Sequence, residues 1–127
     1  MSKLSALLVA LGVVIAIPAA QAMSAEPVQV MKTAKGKVFA NPTGMTLYVF
    51  DKDTKGVSNC SGLCALAWPA LMAPADAKVR RRWSVVAHGG AMQWAYRGRP
   101  LYTFAKDVKP GDVTGDGVEG TWHVAKP

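Results

Sequence analysis

Chemically versatile side chains are scarce in this chain of 127 residues: Cys60 and Cys64 are its only cysteines, and His88 and His123 its only histidines. Neither cysteine stands behind the apolar N-terminal stretch, so nothing there can carry a lipid. A membrane-spanning run is missing as well. Leu4 to Ile17 is apolar or small throughout, but a bilayer crossing needs ~20 such residues. No G-x-S-x-G turn is written anywhere, which removes the nucleophile elbow. No glycine loop follows a strand into a helix in the pattern that cradles phosphate. Ser58 and Ser61 are neighbours, whereas His88 and His123 stand apart in the sequence. The chain shows no catalytic constellation.

What stands at the N-terminus reads as an address. Lys3 opens it, the apolar run follows, Pro18 breaks the run, and Ala20-Gln21-Ala22 has the small-x-small form of a cleavage site. Residues 1–22 are therefore expected to be a signal peptide. Residues 23–127 would form a single β domain, periplasmic or secreted, with no stable membrane insertion after cleavage. The formal charge is +7, and its one dense cluster is Lys78-Val79-Arg80-Arg81-Arg82. Such a run is usually a solvated loop, although anionic lipid also attracts it. Export argues against nucleic acid as a partner.

The internal pattern is a duplication. Gly44, Leu47, Tyr48, Phe50, Lys52, Asp53 and Trp68 recur, at one constant offset of 54, as Gly98, Leu101, Tyr102, Phe104, Lys106, Asp107 and Trp122. Both TLYVF and PLYTF crowd β-branched and aromatic residues between Gly or Pro. Alternation sends Leu47 and Val49 to one face and Tyr48 and Phe50 to the other, so both faces are expected to be buried. Upstream, 28–33 and 37–40 lead into the first copy, and 83–88 and 92–97 into the second. Each repeat, about 28–73 and 83–126, thus reads as a three-stranded meander, with 76–82 as the joint. The expected fold is mainly β: two meanders in one small pseudo-twofold barrel or sandwich. At most one short helical turn is expected, near 63–67, where Pro69 stops it. Trp68 and Trp122 read as paired core anchors whose polar tips need partners.

In an exported chain, the C-x3-C pair Cys60 and Cys64 most simply forms a disulfide. Residues four apart on a regular helix stand too far apart for a bridge, so a turn at Ser61-Gly62 is required. The alternative is a copper or thiol-redox site, with His123 or His88 and methionines completing a thiolate shell. Asp112 to Gly117 imitates the first half of a calcium loop, but His123 occupies the closing position where a bidentate Glu belongs. It reads as a glycine-rich connection.

Taken together, LYVFDKD, SNCSGLCALAWP, PLYTF with the following KD, and the terminal TWHVA resemble the secreted repeat of unknown function, a family of predicted lipoproteins with a Y-x-[FWY]-x-x-D motif. The motif residues here are Tyr48, Phe50 and Asp53, then Tyr102, Phe104 and Asp107. The resemblance covers residues 35–127. It implies an exported bacterial envelope protein of mainly β structure and carries over no enzyme activity. Many relatives have a lipidated cysteine at the cleavage site; Gln21-Ala22-Met23 stands here instead, so anchoring is not inherited. The C-x3-C pair and the following Trp-Pro match the family pattern. The expected function is a non-enzymatic binding or structural module with no cofactor, acting on an envelope component or a small ligand. A copper-handling or thiol-redox protein is the alternative.

Overall fold

β-Branched and aromatic segments bounded by glycine turns become eight strands in a computed structural model that describes residues 10–13 and 27–127. The expected signal peptide falls largely outside those residues. Strands β1 (Gln29–Thr33) and β2 (Gly36–Ala40) form an antiparallel hairpin. In the second half β5 (Trp83–His88) and β6 (Ala91–Tyr96) form its counterpart, turning at Gly89-Gly90 as the sequence predicts. Helix α1 (Leu63–Ala67) is the single α-helix among the described residues and lies where the sequence places it. A three-residue 3-10 turn, Val118–Gly120, adds a second, tighter turn to the glycine-rich loop.

The meanders differ from expectation in one respect. Strand β3 (Tyr48–Phe50) touches its own hairpin only through the bridge Ala40–Thr46. It then pairs along its length with β8 (Trp122–Val124), the end of the other repeat. The reciprocal crossing joins Ala70, just before β4 (Met72–Ala73), to Tyr102. Strand β4 also pairs β6 and shares that edge with the short β7 (Arg99–Pro100), while β5 pairs β6 along the whole of its other edge. Each repeat therefore lends its last segment to the other. The reason is length: a three-residue strand pairing only its own hairpin leaves one edge of backbone groups unpaired, and buried groups of that kind are costly.

The crossing obeys the pseudo-twofold axis. Tyr48 and Tyr102, equivalent residues, exchange both backbone hydrogen bonds, at 2.7 and 3.0 Å. Ala125 N–H donates to Leu47 at 2.8 Å, and Leu71 N–H to Leu101 at 2.9 Å. Asp51 N–H donates to Thr121 and Ala105 N–H to Ala67, both at 2.8 Å. Every donor and acceptor in these pairs maps onto its twin at the sequence offset. No closed barrel forms among the described residues; the small sheets pack as a sandwich.

Two cores result, one on each face of the repeated phrase. Leu47, Val49 and Leu101 pack with Val28, Phe39 and Ala125. Tyr48, Tyr102 and Phe104 pack with Trp68, Trp122, Cys60, Val38 and Val124. Alternation along the phrase, as read from sequence, is what divides them. Trp68 and Trp122 lie face to face, ring centroids 3.7 Å apart and planes within 2°. Among the described residues no helix is long and apolar enough to cross a membrane.

Candidate functional site

The repeated tyrosines sit on β3 and on its twin segment, where the strand period turns them into the Trp-lined core. Each carries a hydroxyl that must find a partner there. Tyr48 Oη donates to Asp107 Oδ2 at 2.6 Å, and Tyr102 Oη donates to Asp53 Oδ2 at 2.7 Å. Tyrosine and aspartate of each pair come from opposite repeats. The motif residues thus form two reciprocal clasps across the pseudo-twofold axis. An aspartate at a strand end ordinarily serves the turn there, and Asp53 and Asp107 are so placed. They do make that turn, since Asp53 and Asp107 N–H groups bond Phe50 and Phe104 carbonyls at 3.1 Å. Their carboxylates, however, hold the other copy.

The clasps differ in what surrounds them. Asp107 is buried, and its second oxygen accepts from the Thr114 backbone and hydroxyl, while Gly115 N–H donates to Tyr48 Oη at 3.2 Å. Gly115 permits this because any side chain would strike Trp68 and Tyr48, whose atoms lie 2.8 to 2.9 Å from where its Cβ would stand. Burial, then the bond to the Asp107 carboxylate, pushes the Tyr48 hydroxyl far above its ordinary range. Asp53 is half-buried and accepts Asn59 N–H at 2.7 Å. Burial raises its carboxyl above the usual value, opposed by the Asn59 and Tyr102 bonds. Tyr102 is raised in turn, chiefly by burial.

Only the Tyr102 clasp extends outward. Ser58 Oγ lies 2.7 Å from Tyr102 Oη and 3.3 Å from His88 Nδ1. A run Asp53–Tyr102–Ser58–His88 thus leads from the core to the end of β5. The sequence does not show this meeting, because the pair is 30 residues apart and no local motif marks it. It falls short of a nucleophile site. The serine hydroxyl is shared between tyrosine and imidazole, and among the described residues nothing orients the other ring nitrogen of His88. The twin loop has no such extension.

Cys60 and Cys64 are joined as a disulfide, and no free cysteine remains. The required turn is present: Gly62 stands at φ +59° before α1, giving a Cα separation of 5.2 Å. Cys60 belongs to the Trp core, and Cys64 packs against it. The proposed third metal ligand, His123, points to another partner: its Nε2 lies 2.7 Å from Asp51 Oδ2, at the surface. Joined sulfurs offer no thiolate. Among the described residues no three His, Cys, Asp or Glu side chains cluster in a way that could hold a metal. In the calcium-like loop, Asp112 accepts from Val108 and Lys109 N–H groups, which lower its carboxyl. Asp116 accepts Val124 N–H and pairs Lys35 at 3.5 Å. These carboxylates fold the loop instead of facing a common centre.

A family model described as a secreted repeat of unknown function matches residues 29–72 and again 84–126. No curated protein and no solved structure matches the chain.

Proposed function

The chain belongs to the family of secreted repeats of unknown function, and from that premise we propose that it is an exported, non-enzymatic binding or structural module working without a bound cofactor. The carrying observation is the pair of reciprocal clasps. The residues that define the motif, Tyr48, Asp53, Tyr102 and Asp107, spend their polar groups on each other across the two repeats. Phe50 and Phe104 lay their rings on the Trp stack, with centroids 4.2 Å from Trp122 and 4.1 Å from Trp68. A motif engaged this way builds a scaffold, and its ligand or envelope partner meets the surface. Residues 1–22 serve as the cleaved export signal, and nucleic acid is no partner.

The test counts thiols and metals together on protein purified from the periplasm without chelator. The expected result is no free thiol and no stoichiometric metal. Copper held by reduced Cys60 and Cys64 would overturn the reading in favour of a metal-handling protein.

A further inference from the structure

The duplicated scaffold has become unequal at one cleft. A half-open cavity of about 310 Å³ lies beside β7, floored by Val49, Leu101, Val124 and Ala125 and rimmed by Tyr96, Arg97, Arg99 and Lys126. That volume is at the lower end of small-ligand sites. Its charged side chains are Arg97, Arg99 and Lys126, the last with its amine toward the β1–β2 turn at Gly36, and Pro127 also lines it. At the sequence offset, Arg99 and Lys126 correspond to Met45 and Met72 in the other repeat, so the charge belongs to this cleft and not to the repeat as such. Among the described residues neither Arg97 nor Lys126 is in an ion pair, while Arg99 is shared with Asp51 at 3.4 Å.

The backbone adds an independent observation. Arg97 and Gly98 form the two-residue turn between β6 and β7, and both have positive φ, +52° and +80°. Such a turn favours Asn-Gly, because a long side chain is strained in the left-handed region. Arginine there is disfavoured by the turn, and strain of this kind gathers at ligand sites. The Arg97 guanidinium leans over the Tyr96 ring at 5.5 Å, and its planar fork matches the geometry of an oxyanion.

We propose that this cleft binds a small free amphipathic anion, a carboxylate or phosphate monoester on a short apolar chain, with Arg97 and Lys126 holding the head and Val49, Leu101 and Val124 the tail. The proposal rests on the binding-module reading and names its ligand class. The probes are octyl phosphate and octanoate, measured by calorimetry beside inorganic phosphate, octanol and phosphatidylglycerol vesicles. Saturable binding of the two octyl anions, with inorganic phosphate and octanol much weaker, is expected. Arg97→Asn should weaken that binding about tenfold while raising the melting temperature, since it repairs the turn. Lys126→Gln should weaken it similarly without moving the melting temperature. Equal binding of octanol, binding to vesicles alone, or either variant binding as well as the parent would overturn the proposal. Probe recovered unchanged by NMR keeps the module reading whichever way binding falls; a probe chemically converted would sink that reading instead.

Discussion

At the scale of single residues, the two clasps make opposite demands on solvent, and this separates them experimentally. Asp107 is 7% exposed, so removing its tyrosine donor leaves the buried Oδ2 without a partner while Thr114 still holds Oδ1. Tyr48→Phe is expected to cost about 1.5–3 kcal/mol, the range for hydrogen bonds to charged groups, and Tyr102→Phe less, because Asp53 is half-exposed. In urea denaturation, Tyr48→Phe should couple with Asp107→Asn by ~1 kcal/mol and with Asp53→Asn hardly at all. The reverse pattern would refute a cross-repeat clasp. Raised tyrosines also fix the alkaline limit. Unfolded, both would ionise near the ordinary value of 10.0; folded, both keep their protons well beyond it. Above about pH 10 the unfolded chain therefore binds fewer protons than the folded one, and stability falls as pH rises. Below that pH their contribution stays constant. Tyr96, lowered mainly by its hydrogen bond from Arg82, should titrate first in an ultraviolet titration, with the other two tyrosines appearing only on unfolding.

At the scale of elements, the readable parts were those set by local pattern. Glycine turns, β-branched runs and Pro69 located β1, β2, β5, β6 and α1 to within a residue or so. Cys60-x3-Cys64 required a turn that Gly62 supplies. What stayed illegible was the crossing of β3 to β8 and of Ala70 to Tyr102, because pairing between distant segments leaves no periodic trace in either one. Ser58 beside His88 was hidden for the same reason. Strained Arg97 was written openly as Arg-Gly, yet only the turn geometry shows that Asn would fit better. The disulfide is the element-scale device whose strength follows from spacing. It closes a five-residue loop, so the chain-entropy model gives it ~2 kcal/mol. The double variant Cys60→Ala with Cys64→Ala is expected to lose about that much, plus a smaller packing loss at buried Cys60, and to keep its far-ultraviolet spectrum. Collapse of the spectrum at room temperature would show that the loop organises the fold, beyond stapling it.

At the scale of the whole molecule, the exchange of terminal segments makes each repeat incomplete in a specific way. The first hairpin needs Ala125, whose carbonyl accepts Phe39 N–H and whose N–H bonds Leu47. The second needs Leu71, which accepts from Trp94 and donates to Leu101. Each Trp half-stack is likewise open without its twin, and a hairpin with one bare apolar face is marginal in water. The only covalent link between halves is the stretch 74–82, most of it exposed. Cutting there removes no core contact and leaves every clasp in place. The expected outcome is that protein cleaved between 76 and 82 stays folded as a one-to-one complex at micromolar concentration, with a melting temperature that rises with concentration. Either half alone should show no cooperative transition, and mixing the two should restore one. A half that folds by itself as a monomer would mean that the interlocked strands and clasps decorate two independent units instead of making one.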